Sequence, residues 1–359
     1  MFSFRRSERI NWHVNNPHVF SCPFLSDSSP CLLVSFGPEG KAFTKESRVS
    51  FWVNPTIWCQ KCDTANQRKM ALQIRSLVED CSRYLKAFEL YLERSSDHQS
   101  VRGFIQSTLP DILTTYSVGA GKSTLNIMGV GCGSGEIDME ILTQLHAKYS
   151  GARVEYEVVE PNRDMLDKYK GLALKTPGLD HTTFRFHMMT ASEFESDWKQ
   201  RNPDRKMDFI HMIQMLYYVK DPEMTVSFFR SLLRKDGKLL IILVSGDSGW
   251  SGLWRHYHDR VHSSHVTAAD IKSFLDAKEI PYKSYSFVST FDITECFTTR
   301  DEKEELMLDF LTEIPEFSKS TSPELKARVL EILKRPECSQ EVNGRIMFNN
   351  NMEALVIDQ

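Results

Sequence analysis

The sequence has no long apolar run. Nothing in its 359 residues approaches the ~18 consecutive apolar residues that suggest a membrane span, and the mean hydropathy is -0.36. It also has no basic excess. A net charge of -4 argues against a generic nucleic-acid binder, whose phosphate contacts need clustered Lys and Arg. A complete zinc pattern is missing too. Cys59 and Cys62 have the spacing of half a knuckle, but Cys22 and Cys31 are too far apart to form a second tight pair, and His13 and His18 do not supply one. No metal is expected. Eight cysteines with no pairing pattern fit a reducing, cytoplasmic setting.

What is present is unevenly distributed. Residues 1–70 hold 9 Lys+Arg against 5 Asp+Glu, and the remaining chain holds 35 against 43. The first segment also contains four of the eight Cys and three of the six Trp, and Pro17, Pro23, Pro30, Pro38 and Pro55 interrupt it. It has no sustained period of 3.6 or 2. Its apolar pieces are too short and broken for a signal peptide, and Arg5, Arg6 and Arg9 hint only weakly at a transit peptide. Residues 1–70 are therefore expected to be a poorly ordered extension, with Met70 a plausible alternative start. Residues 71–359 are expected to be the functional domain.

That domain alternates strand and helix. Helical stripes over 71–93 and 97–115 precede a strand at Leu125–Val130, a glycine-rich turn and a helix with Ile137, Ile141, Leu142 and Leu145 on one face. Strands at Val154–Glu160, Phe184–His187, Met207–Gln214 and Lys238–Ser245 alternate with helices at Arg163–Leu174 and Met224–Leu233. The near-continuous apolar character of the later strands suits a sheet covered on both faces. A doubly wound, mostly parallel α/β sheet follows. Residues 268–278, 303–312 and 323–334 read as further helices, and Tyr282–Ile293 and Arg345–Ile357 as two long late strands pairing antiparallel at one edge.

In such a sheet the ligand sits at the carboxyl ends of the strands. The first strand runs into Gly131-Cys132-Gly133-Ser134-Gly135-Glu136, and the next ends on Glu160, an acid suited to ribose hydroxyls. Dinucleotide enzymes and S-adenosylmethionine-dependent methyltransferases share that arrangement. A dinucleotide site needs G-x-G-x-x-G so that a helix N-terminus meets pyrophosphate. Here the spacing is G-x-G-x-G and Glu136 stands at the sixth position, which opposes a pyrophosphate and tolerates a sulfonium. The methyltransferase reading leads, with a dehydrogenase and a purely structural turn as alternatives. The Asn/Asp-Pro-Pro-Tyr turn of enzymes that methylate base amines or glutamine is absent, since residues 211–218 read HMIQMLYY. Gln214, Tyr217 and Tyr218, with Trp250 and Trp254 after the next strand, suggest a pocket for a small flat substrate. The i, i+4 Trp pair equally suits an ordinary packing face.

The segments GVGCGSGEID, EVVEP, MDFIHMIQMLYYVKD, LLIILVSGDSGW, LDFLTE and MFNNNMEALVI closely resemble the histamine N-methyltransferase family, from about Ser76 onward. The resemblance implies a Rossmann-like class I methyltransferase fold, α/β with a seven-stranded, mostly parallel sheet and helical additions over the substrate. It implies S-adenosyl-L-methionine as cofactor, held by Gly131, Gly133, Gly135, Glu160, Met165, Ser192 and Ile213. It also implies that Gln214 and Asn350 hydrogen-bond an imidazole ring, that Asp97 helps hold the substrate, and that Tyr84, Phe88, Tyr217, Tyr218, Trp250, Trp254 and Phe310 line the pocket. The expected partner is a small imidazole, with no nucleic acid and no membrane, and the chain is expected to be monomeric. His187 and His211 read as core histidines and Cys132 as a packing residue.

Several positions depart from the family. Asp97 stands for a glutamate, Val78 and Val261 for phenylalanines, and Met165 for a glutamine, and the loop 261–266 is shorter and has lost acids. More room and less negative charge suggest a longer imidazole bearing a carboxylate. Carnosine is the leading expected substrate and histamine the alternative. A cofactor-fold scaffold without activity is a third reading.

Overall fold

The computed structural model describes residues 76–201, 204–257, 265–298 and 301–359, all within the unit Asp63–Gln359. The expectations for residues 1–70, for Val261 and for most of the 261–266 loop lie outside the described residues.

Among the described residues, ten strands form two sheets. The large one has the order β3 (Thr182–His187), β2 (Arg153–Val159), β1 (Thr124–Val130), β4 (Met207–Ile213), β5 (Leu233–Val244), β10 (Met352–Asp358), β6 (Tyr282–Phe287). Its first five strands are mutually parallel, and β10 runs antiparallel to both β5 and β6. This is the expected class I methyltransferase architecture. Central strands β4 and β10 are buried almost along their whole length because helices cover both faces of the sheet. One core layer gathers Phe194, Trp198, Phe229 and Leu275, and the other Leu109, Leu142, Tyr156 and Tyr169.

A small antiparallel sheet, β7 (Thr290–Asp292), β9 (Arg345–Asn349) and β8 (Ser339–Val342), accounts for the two long strands expected late in the chain. Each is broken once. The chain leaves β6 for β7 at residues 288–289 and leaves β9 for β10 at 350–351. The two crossings lie side by side: Asn350 N donates to Ser289 O at 3.1 Å, and Asn350 Nδ2 to Ser289 Oγ at 2.8 Å. Hydrophobic alternation continues through both breaks, so periodicity alone does not reveal them. The expected antiparallel pairing survives as β6 with β10.

Above the carboxyl ends of the large sheet lies a third apolar layer. Its main cover is the helix Cys81–Arg94, capped by Asp80, whose side chain accepts from Arg83 N at 3.2 Å. The stretch expected to be helical from residue 71 is therefore, in its described part, a short 3-10 turn at Leu77–Glu79 followed by this helix. Arg83 anchors the helix to buried Asp309 on the helix Glu302–Thr312, and Asp309 also accepts from Phe317 N at 2.9 Å.

Candidate active site

The strand order reverses at β1, whose neighbours are β2 and β4, and the glycine loop occupies this switch point. Gly131 N donates to Val159 O at 2.8 Å, tying the loop to the end of β2. Gly131 has φ of 70°, and a Cβ added there would lie 2.5 Å from Met215 Cβ. Gly135 has φ of 88° and abuts the Tyr169 ring, so it serves close helix packing and does not line the cavity. Glu160 sits at the far wall with both oxygens held. Oε2 accepts from Gly133 N and Oε1 from Asn162 N, each at 2.9 Å. The helix after the glycine loop, Glu136–Lys148, opens with Glu136 and Asp138 in its first turn, which makes its N-terminus hostile to a phosphate. Together these features fit a ribose with a neighbouring sulfonium rather than a pyrophosphate.

Burial raises the Glu160 carboxyl above the ordinary glutamate value, and the two N–H bonds offset this only in part. As an acceptor for ribose hydroxyls it must be ionised. Cofactor affinity should therefore weaken as pH falls, with a midpoint above 4.5. The contribution of this group to folding runs the other way: it favours the folded state at low pH and is lost as pH rises through the raised value. Calorimetric titration with S-adenosylhomocysteine across pH should show that weakening, and Glu160→Gln should flatten it. A midpoint at or below the ordinary glutamate value would contradict this account.

The glycine loop and the apolar cover enclose a cavity of about 830 Å³. Met165, Ser192 and Ile213 line it on the cofactor side. On the other side stand rings from four separate elements. Tyr84 and Phe88 stack at 5.8 Å, Phe88 approaches Phe310 at 6.2 Å, and Trp250 and Trp254 lie 5.6 Å apart. The two tryptophans face the cavity and also pack in the third layer, so both readings of their spacing hold. Tyr84 and Tyr218 meet hydroxyl to hydroxyl at 2.9 Å.

The polar floor is a chain of side-chain hydrogen bonds. Gln214 directly follows β4 with φ of 53°, a left-handed conformation unusual for a non-glycine residue and of the kind that functional sites retain. Its Oε1 accepts from Tyr217 Oη at 2.6 Å, and its Nε2 donates to Asp97 Oδ2 at 2.9 Å. Val244 N donates to the Tyr217 hydroxyl at 2.8 Å, fixing the ring. Asp97 is 3% exposed and opens the helix Asp97–Ser107, whose N-terminal dipole favours a carboxylate. Asn350 sits one layer farther back than expected. It is fully buried and does not line the cavity. Its Oδ1 accepts from Trp250 Nε1 at 2.7 Å, and both amide hydrogens go to Ser289 and Tyr91.

Beneath the loop, His211 Nε2 meets the Tyr156 hydroxyl at 2.6 Å and lies 3.7 Å from Asp138, which accepts from Tyr169 at 3.0 Å. Burial holds the imidazole of His211 below its usual value and, with the Asp138 charge, pushes the Cys132 thiol well up. The first stays neutral near pH 7 and the second is no nucleophile. His187 bonds Glu157 at 2.6 Å, in an ion cluster with Arg185 and Arg205.

Residues 67–279 match a family model described as "Methyltransferase domain". A histamine N-methyltransferase of Danio rerio is 57% identical over 293 residues, covering 80% of this chain and 100% of the relative. The chain belongs to the histamine N-methyltransferase family. Histamine N-methyltransferase A of Xenopus laevis is 42% identical (80% of this chain, 99% of the relative), and the Bos taurus enzyme 40% (80% and 100%). Among solved structures, the YcgJ protein of Bacillus subtilis has a TM-score of 0.44 at 14% identity, covering 68% of this chain and 97% of that one. The plantazolicin methyltransferase BamL, a complex with SAH, has a TM-score of 0.39 at 12% identity, covering 79% and 97%.

S-adenosylmethionine is the cofactor of this family member. Tyr91 and Glu313 are among the cavity residues that escaped the reading of the sequence. Tyr91 continues the 84, 88 face of its helix at i+7, and that spacing was the available signal. Glu313 faces the cavity from the C-terminal end of the helix Glu302–Thr312, with φ of 57°, and no sequence pattern marks it.

Proposed function

We propose that the protein methylates a ring nitrogen of a small imidazole carrying a cationic amine, with histamine the leading substrate. The observation that carries this is Asp97. Its two hydrogen-bond donors converge on Oδ2, and Oδ1, on a residue lining the cavity, has no hydrogen-bond partner among the described residues. A buried carboxylate in that arrangement favours an ammonium. The histamine N-methyltransferases to which the chain is similar act, by their names, on such a substrate.

The expectation of carnosine rested on space and on reduced negative charge. Val78 does line the cavity, which agrees with extra room. The charges, however, disfavour a carboxylate. Asp97 and Glu313 face the substrate half, and Lys220, exposed, is the single Lys or Arg among the described lining residues. Histamine is therefore the better reading.

The bound cofactor supplies a methyl group on a positively charged sulfur. The chain's own residues need only orient the acceptor. An imidazole with pKa of ~6.5 is largely neutral near pH 7.4, so its free ring nitrogen attacks without a strong base. A ring nitrogen that took up this methyl would leave the imidazole cationic, and the proton on the other ring nitrogen would then pass to solvent. Gln214, held from both sides, retains a lone pair on Oε1 for that N–H and so selects the tautomer. The aromatic walls fix the ring plane and exclude water.

Purified protein incubated with labelled cofactor and histamine, carnosine or 4-methylimidazole provides the test. The expected kcat/KM for histamine exceeds that for carnosine by about tenfold or more, roughly one uncompensated charge contact. A preference for carnosine overturns the substrate assignment. Binding of the cofactor with no transfer to any imidazole supports the scaffold reading instead.

A further inference from the structure

Tyr91 connects the polar groups of the site. It is 6% exposed and lines the cavity. Its ring stacks on Phe310 at 4.5 Å and meets Phe291 edge-on at 5.0 Å, which leaves the hydroxyl little freedom. That hydroxyl donates to Asp97 Oδ2 at 2.7 Å and accepts from Asn350 Nδ2 at 3.1 Å. A phenol has one hydrogen, so the shorter contact, to the carboxylate, is its donated bond. Asn350 is fixed in turn by Trp250 and Ser289. A rigid line thus runs from the sheet crossing, through Asn350 and Tyr91, to one oxygen of Asp97.

The consequence lies in the aspartate's short side chain. With Tyr91 and Gln214 both on Oδ2, the carboxylate cannot rotate without losing two bonds, and Oδ1 stays available. The geometry points to Tyr91 as a specificity-determining positioning residue: its hydroxyl locks the Asp97 carboxylate so that Oδ1 receives the substrate's amine. Burial and the Asp97 charge push the Tyr91 phenol well above its usual value, so it remains a donor throughout the working range. This role rests on the reading of Asp97 as the partner of the amine.

The test measures binding of histamine and of 4-methylimidazole, which lacks the amine, by calorimetry on the full chain with S-adenosylhomocysteine present. The readout is the ratio of their Kd values in wild type, Tyr91→Phe, Asp97→Asn and the double variant. Tyr91→Phe keeps the ring and its stacking contacts. It is expected to shift the ratio against histamine by about tenfold, the scale of one charge-assisted hydrogen bond. In the Asp97→Asn background the same change should shift the ratio by less than about twofold, because the two residues act as one unit. An unmoved ratio, or an equal shift in both backgrounds, overturns the role of Tyr91. Loss of S-adenosylhomocysteine binding in Tyr91→Phe also overturns it, since the hydroxyl would then be supporting the fold. A wild-type protein that does not discriminate between the two ligands refutes the reading of Asp97 itself, and with it the proposal.

Discussion

Asp97→Asn should raise KM for histamine about a hundredfold, roughly 2.7 kcal/mol, while changing KM for 4-methylimidazole only a few-fold. The residue is nearly fully buried, and its setting supplies a helix N-terminus, a phenol and an amide but no cationic side chain among its hydrogen-bond partners. Helix and side-chain dipoles face this carboxylate, and an incoming ammonium meets it in a poorly solvated place where a charge pair is strong. Asparagine preserves the volume and removes the charge. It also brings a donor into a position that now faces two donors, so part of the loss comes from reorganised hydrogen bonds. The comparison with 4-methylimidazole separates these effects, because disturbed packing affects both substrates and loss of the amine contact affects one. Steady-state kinetics on both decide the matter, and a parallel rise in the two KM values would argue against an amine contact.

The second large effect concerns the cofactor. Gly131→Val should weaken S-adenosylhomocysteine binding by about a hundredfold or more. Two costs combine: a β-branched residue forced into a left-handed conformation, ~1–3 kcal/mol, and overlap with the Met215 side chain, a similar amount. Relief requires the loop to move, and the loop is bonded to β2 through Gly131 N and to Glu160 through Gly133 N. Gly133→Ala is the control for stability. Its φ is 53°, but nothing lies within 4 Å of an added Cβ. Thermal unfolding should therefore show a clearly smaller fall in Tm for Gly133→Ala than for Gly131→Val. Equal falls would mean that the contact with Met215 is unimportant.

How far the site was legible depends on how local each piece is. The glycine loop and Glu160 are written in consecutive residues at a strand end, and chain order alone brings them together. Asp97, Gln214 and Asn350 are distant in sequence, and no periodicity relates them. Family resemblance pointed to all three, yet it did not reveal that Asn350 lies behind the wall, bonded to Tyr91 and Trp250. The two sheet crossings were hidden for a different reason. Ser289 and Asn350 fall on the apolar face of otherwise alternating segments, so the alternation runs on through them, whereas the chain changes sheets there and the two bond each other. Tyr91 is visible in its spacing, seven residues after Tyr84, but an aromatic on a helical stripe reads first as core.

The insertion of β10 between β5 and β6 has a kinetic consequence. Until Met352–Asp358 pairs with Lys238–Val244, the β5 edge of the half-built sheet is an open row of backbone donors and acceptors, most of it on the apolar run Leu239–Val244. That pairing spans a long stretch of chain, and such contacts form late because loop closure must precede any gain from them. During refolding the intermediate most prone to stick to a second copy would therefore be the one lacking this strand, and mutations that slow the docking of β10 would appear first as lost yield rather than lost affinity.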